Sequence, residues 1–200
     1  SDSITVEMGG TSGHLAADNS INDLNVQDIE TLNLVSGQTG TTAMLSTDDN
    51  TLDDLSSDST LTTLNISGTA ESNITIGTEA TKLATIDASA MAVASTITVA
   101  ATADQSITGG TAVDTIIMAS TLNNADTIDG GAGLDVLTAT STTFTATTGA
   151  LAVSNVETIN LTNGGTSVIN AAGITGATEI AVLTNTTSTT ITNLAAGTKV

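Results

Sequence analysis

The chain predicts an all-β fold, a parallel β-solenoid or β-roll in which short strands stack coil upon coil. Three observations predict it. A six-residue phrase returns along the chain at a nearly constant spacing, a run of nine-residue Gly/Asp repeats lies in its second half, and the composition leaves almost no rings to fill a globular core.

The phrase is clearest in Leu61-Thr62-Thr63-Leu64-Asn65-Ile66. Earlier it reads Ile29-Glu30-Thr31-Leu32-Asn33-Leu34, and later Leu83-Ala84-Thr85-Ile86-Asp87-Ala88 and Val156-Glu157-Thr158-Ile159-Asn160-Leu161. A weaker copy is Thr178-Glu179-Ile180-Ala181-Val182. Apolar and polar residues alternate in each, the period of a half-buried strand. Thr62 and Ala84 lie 22 residues apart, as do Glu157 and Glu179. A second strand pattern follows each of the four copies from Leu61 onward, at Asn73–Ile76, Thr96–Val99, Ser167–Ile169 and Thr190–Thr192. Two or more short strands per coil of about 18–22 residues is the signature of a solenoid.

Residues 61–200 therefore read as β-solenoid, with a special block at 109–138, and residues 1–60 as an irregular β segment with acidic loops. The chain starts and stops in strand-like sequence, as a piece of a longer protein would. Ala-Thr runs lack the helical period of 3.6, so only Ala88–Ala94, around Met91, is expected to allow a helical turn.

Composition narrows the function classes. Thr makes up a fifth of the chain, Phe144 is the sole aromatic residue, and Pro and Cys are absent. Small β-branched residues suit the narrow interior of a solenoid coil. The formal net charge of −19 comes from 21 acids against Lys82 and Lys199. Such a surface cannot displace counterions from nucleic acid, and an anionic membrane surface repels it. No apolar run is long enough to span a membrane, and no signal peptide is visible at the start. The absence of Cys suits a secreted or surface protein that does without disulfides.

The block at 109–138 carries the chemistry. It reads GGTAVDTII, the insert Met118-Ala119-Ser120, TLNNADTID and GGAGLDVLT. The last is a complete Gly-Gly-x-Gly-x-Asp-x-apolar-x nonapeptide, and the other two are degraded copies in register. Gly permits tight turns and turns carbonyls inward, Asp brings charge, and the apolar residue plugs the core; this pattern binds calcium. Half-coils alternate sides, so the loop ending at Asp114 should lie over the loop ending at Asp135. One Ca²⁺ is expected between them, held by both carboxylates and by carbonyls near Gly109, Thr111, Gly130 and Ala132. Asp126 faces the other side, with Asp104 22 residues before it, and a second site there is conceivable. Plain Gly/Asp turns without metal are the bland alternative.

Other candidates are weaker. Asp48, Asp49, Asp53, Asp54 and Asp58 cluster, but an EF-hand would need Gly at its sixth loop position and an acid at its twelfth. A solvated acidic loop is the default there and an irregular calcium site the alternative; Asp18, Asp23 and Asp28 divide the same way. His14, the only histidine, is expected in a surface loop, since no Cys is present to complete a zinc site. No nucleophile elbow, zinc-protease helix or phosphate-binding loop occurs, and no base other than His14 could activate a Ser or Thr. Paired carboxylates for glycoside hydrolysis would lack aromatic platforms for a sugar. The expectation is that the chain is not an enzyme.

The stretches LTTLNISG, SNITIG, SITGGTAVDTIIM, NNADTIDGGAGLDVLTA and VSNVETINL, spanning roughly residues 60–165, resemble the surface-layer (S-layer) proteins of Gram-negative bacteria that carry RTX (repeats-in-toxin) nonapeptides, the Caulobacter-type lattice proteins in particular. Residues 1–60 match only in style. The resemblance implies a calcium-bound β-solenoid, type I secretion through an uncleaved C-terminal signal, an extracellular place on the cell surface, and self-association into a lattice or filament. It also implies Asp114, Asp126 and Asp135 as calcium-loop acids, with Gly109, Gly110, Gly130, Gly131 and Gly133 as turn residues. A lipopolysaccharide-anchoring region and an export signal are not recognisable here, and only one nonapeptide is complete. Two alternatives stay open: a spacer region of a large RTX adhesin, or the calcium-folding export module of a secreted protease or lipase.

Overall fold

A computed structural model describes residues 1–9, 19–37, 49–57, 59–101, 103–119, 122–140, 149–163, 167–185 and 188–200. His14, Asp18, Asp48, Asp58, Ser120 and Phe144 lie outside them. The fold is a parallel β-solenoid of coils of about 22 residues. Each coil gives one strand to each of two facing sheets, and every pairing is parallel.

The first sheet stacks β1 (Ser3–Met8), β4 (Thr31–Ser36), β6 (Thr63–Gly68), β8 (Thr85–Met91), β10 (Ser106–Thr108), β12 (Thr127–Asp129), β14 (Ala152–Ser154) and β17 (Ile174–Thr175). The second stacks β2 (Asn19–Ile21), β5 (Asp49–Ser57), β7 (Glu71–Ile76), β9 (Ser95–Val99), β11 (Thr115–Met118), β13 (Val136–Thr140), β15 (Thr158–Asn163) and β18 (Glu179–Asn185); β3 (Leu24–Val26) also pairs with β5. A small third sheet joins β16 (Ser167–Asn170) to β19 (Thr189–Thr192).

The recurring phrase is the first-sheet strand in the early coils. Leu32, Leu64, Ile86, Ile107 and Ile128 stand in register there, all fully buried. Facing them, Leu52, Ile74, Ile97, Ile116 and Leu137 stack in the second sheet. The copies at Val156–Leu161 and Thr178–Val182 enter the second sheet instead, as β15 and β18. Each buried Ile or Leu removes its side chain from water, worth roughly 1.5–3 kcal/mol. Stacking like on like keeps every rung the same width.

Four features depart from the sequence reading. The two sheets run unbroken across residue 60, since β4 pairs with β6 and β5 with β7. Asp49, Asp53 and Asp54 lie in a nine-residue strand where an acidic loop is the default expectation. Leu52 and Leu55 are both fully buried, and at three residues apart they require the register shift found between them. Residues 88–91 complete strand β8, and the helical turn sits instead at Ala171–Gly173, capped by Asn170. The insert at 118–119 lengthens the strand without breaking it: Met118 is buried between Val99 and Ala139, and Ala119 continues the ladder to both neighbours. Coil width changes on the first sheet, where β8 has seven residues and β10 has three.

Candidate metal centre

One corner of the solenoid, at the start of each second-sheet strand, holds one inward polar residue per coil. Reading up the stack these are Asn50, Ser72, Ser95, Asp114, Asp135 and Glu157. The first three are neutral. Asn50 Nδ2 donates to the Ser36 hydroxyl (2.8 Å) and the Met8 carbonyl (3.0 Å), and its Oδ1 accepts from Asn19 (2.9 Å). The Ser72 hydroxyl donates to the Ala70 carbonyl.

The next three are acids, and each grips the backbone of the coil before it. Asp114 Oδ1 accepts from the Ser95 N–H (2.8 Å) and hydroxyl (2.7 Å), and its Oδ2 accepts from the Gly110 N–H. Asp135 Oδ1 accepts from the Asp114 N–H (2.8 Å). A Glu157 carboxylate oxygen accepts from the Asp135 N–H (2.8 Å). Three carboxylates thus stack at about the 4.8 Å spacing of paired strands. Two charges at that distance, in an effective dielectric of about 20, repel by on the order of 3 kcal/mol.

The loops of 109–114 and 130–135 do lie over one another on one side. The Ala132 N–H donates to the Gly110 carbonyl (3.0 Å), the Gly130 N–H to the Ser154 carbonyl (3.0 Å), the Gly109 N–H to the Asp129 carbonyl (2.8 Å) and the Thr111 N–H to the Met91 carbonyl (3.0 Å). The Gly130 carbonyl oxygen is so near Gly109 that a Cβ there would come within 2.2 Å of it. At Gly130 a Cβ would lie 1.9 Å from the Asn155 carbonyl oxygen and 2.7 Å from Asp135 Oδ2. Gly131 takes a φ of +89°, open to Gly at no steric cost.

Asp135 is 1% exposed, and its Oδ2 has no hydrogen-bond partner. A carboxylate oxygen shut away from water and unpaired is costly. Burial pushes the Asp135 carboxyl above the ordinary carboxylate range; the Asp114 N–H opposes this, and the charges of Asp114, Glu157 and Asp129 add to it. A hard cation is the chemical complement: carboxylate and carbonyl oxygens only, with no nitrogen or sulfur donor. Among the described residues no group of three or more His, Cys, Asp or Glu is gathered as for a metal, so main-chain carbonyls would have to complete such a site. Within those limits Asp135 Oδ2 and the flanking carbonyls fit calcium, whereas both Asp114 oxygens already accept from Ser95 and Gly110, so Asp114 would have to share those bonds to act as a ligand.

The opposite side fits less well. Asp126 is buried, but Oδ1 accepts from the Gln105 N–H (2.7 Å) and Oδ2 from the Asn123 N–H (2.7 Å), so both oxygens are satisfied. Burial, with a smaller push from Asp104, raises its pKa, and those two N–H groups hold it down. Asp104 is exposed, 3.4 Å from the Asn123 amide. Asp126 closes a turn without needing metal.

Sequence reasoning missed Ser95 and Glu157 as members of the corner column. The signal was present: each immediately precedes a Thr of the second-sheet ladder, as Asp114 does, and Glu157 follows Asp135 by 22 residues. A cavity of about 280 Å³ at the C-terminal end, lined by Ile174, Ala177, Ile180 and Leu194 among others, carries no ionisable side chain. No protein-family model, curated protein or solved structure matches the chain. The reading of function therefore rests on its own residues.

Proposed function

We propose that this chain is a structural module of a secreted, calcium-dependent bacterial surface protein, a solenoid that associates with copies of itself into a layer or filament. The observation that carries the reading is the buried, unpartnered Asp135 Oδ2, set between Asp114 and Glu157 in two stacked Gly/Asp loops. Without a cation, the corner holds stacked carboxylates and one orphaned oxygen. Calcium outside the cell neutralises them and stiffens the coils, so its binding free energy becomes ordering free energy. The role is mechanical. Buried Ile and Leu set the rung, and the acids make its rigidity conditional on the medium.

Titration of calcium into the chelated protein, followed by circular dichroism and calorimetry, tests the metal. Saturable binding with a rise in strand signal is expected, and no heat and no change at millimolar calcium would overturn it. Electron microscopy of the same samples tests assembly: ordered sheets or fibres that dissolve in chelator are expected, and monomeric particles in both conditions would refute it.

A further inference from the structure

We propose that copies of this chain meet face to face through the outer surface of the second sheet between β7 and β15; this rests on the self-association put forward above. From Asn73 and Thr75 to Thr158 and Asn160, the outward positions that pair across these five strands are Thr, Asn, Ile and Val only. They are half-buried, and none is charged. Among the described residues acids stand at the margins of this face, with Glu71 at the start of β7 opposite Asp49, Asp53 on β5 and Glu179 on β18. The outer face of the first sheet differs, carrying Glu7, Asp87 and Asp129.

Charge selects the occupant. Two molecules of net charge −19 repel over the Debye length, about 8 Å at physiological salt. Sheets packed face to face stand about 10 Å apart, so carboxylates on apposed faces would meet within reach of one another. The second-sheet face avoids this. A basic partner would choose the acidic faces instead, and a partner seeking an aromatic anchor would find none. A Thr hydroxyl both donates and accepts, so the same face on a second copy is its complement about a two-fold axis.

Five strands at about 4.8 Å and some five residues at about 3.3 Å give a face of roughly 400 Å² per copy. That is about half of what one partner gives to a stable interface. A single contact of this size is weak, and because a two-fold contact closes on itself, a layer also needs further contacts elsewhere on the chain, each strengthening the others.

The test places Glu on each face. Thr98→Glu/Thr138→Glu loads the second sheet and Ser106→Glu/Thr127→Glu the first, with calcium-dependent circular dichroism checking that each still folds. By sedimentation and electron microscopy in millimolar calcium, the first variant should stay monomeric and the second assemble as the unaltered chain does. Equal assembly of both would overturn the proposal while leaving self-association standing. An unaltered chain that stays monomeric would overturn both. Should the Glu variant misfold, Thr138→Cys decides, since the chain has no cysteine of its own: it should form disulfide-linked dimers in calcium several-fold faster than Thr127→Cys. Equal rates would contradict the proposed face.

Discussion

The coils built from β6 to β9 and those built from β10 to β13 share a register and a core, yet their corners are made of different chemistry. In the earlier coils the inward corner residues are Ser72 and Ser95, continuing from Asn50; neutral hydrogen bonds serve Asn50 and Ser72, and Ser95 marks the boundary by donating to Asp114 in the next coil. In the later coils the same positions hold Asp114 and Asp135, followed by Glu157. First-sheet strands shorten at the same place, from seven residues in β8 to three in β10 and β12, so each later coil offers fewer buried groups. The lesson is a division of labour. The neutral coils hold themselves together, and the acidic coils combine a thinner core with stacked charge that a cation can offset.

The strongest way to break the contrast is to remove the acids. Asp114→Ala/Asp135→Ala should weaken calcium binding by on the order of 100-fold or more, as loss of ligands does, and should abolish calcium-dependent ordering in circular dichroism. Unchanged ordering would move the metal elsewhere.

Core substitutions come next. Ile74→Ala and Leu137→Ala both empty fully buried positions, and each should cost about 2–5 kcal/mol in calcium. In chelator only Ile74→Ala should keep its full effect in denaturant titrations, because the coil around Leu137 is then already loosened. Equal losses in both media would erase the distinction.

Acidity sharpens it further. Burial raises the carboxyl of Asp135, and that of Asp126, above the ordinary range. A raised acid contributes stability that is full below its unfolded pKa and lost as pH rises through its folded pKa. In chelator the melting temperature should therefore fall as pH rises from the ordinary carboxylate range toward neutrality, and calcium should remove that fall. Asp135→Asn should make the chelated profile shallower, leaving the share due to Asp126, and stabilise the metal-free protein at neutral pH by about 1 kcal/mol. A chelated melting temperature that climbs toward neutrality would contradict the burial argument.

Much of this was legible in the sequence because the solenoid repeats itself. Leu64, Ile86 and their facing partners Ile74 and Ile97 announce the rung, since alternation fixes the face and spacing fixes the coil. The stacking of the two Gly/Asp loops followed from alternation of half-coils. The corner column was harder to read, because it supplies one residue per coil and its chemistry drifts from Asn to Ser to Asp to Glu. The strand at Leu52–Leu55 was hidden by the bulge that lets both leucines point inward. Met118 read as an insert because the nonapeptide count left it over, whereas its neighbours Val99 and Ala139 needed a buried partner between them. The Ala88–Ala94 stretch suggested a helical turn from local composition, and parallel pairing of β8 with β6 and β10 overrode it.

Hydrogen exchange followed coil by coil, with millimolar calcium and again with chelator, tests the central claim most directly. The account predicts that amides of β7 and β9 stay protected in both conditions, while those of Gly110, Asp114, Asp135 and strands β11 and β13 become protected only with calcium. Equal protection of both sets in chelator would contradict it, and would make the acids plain turn residues.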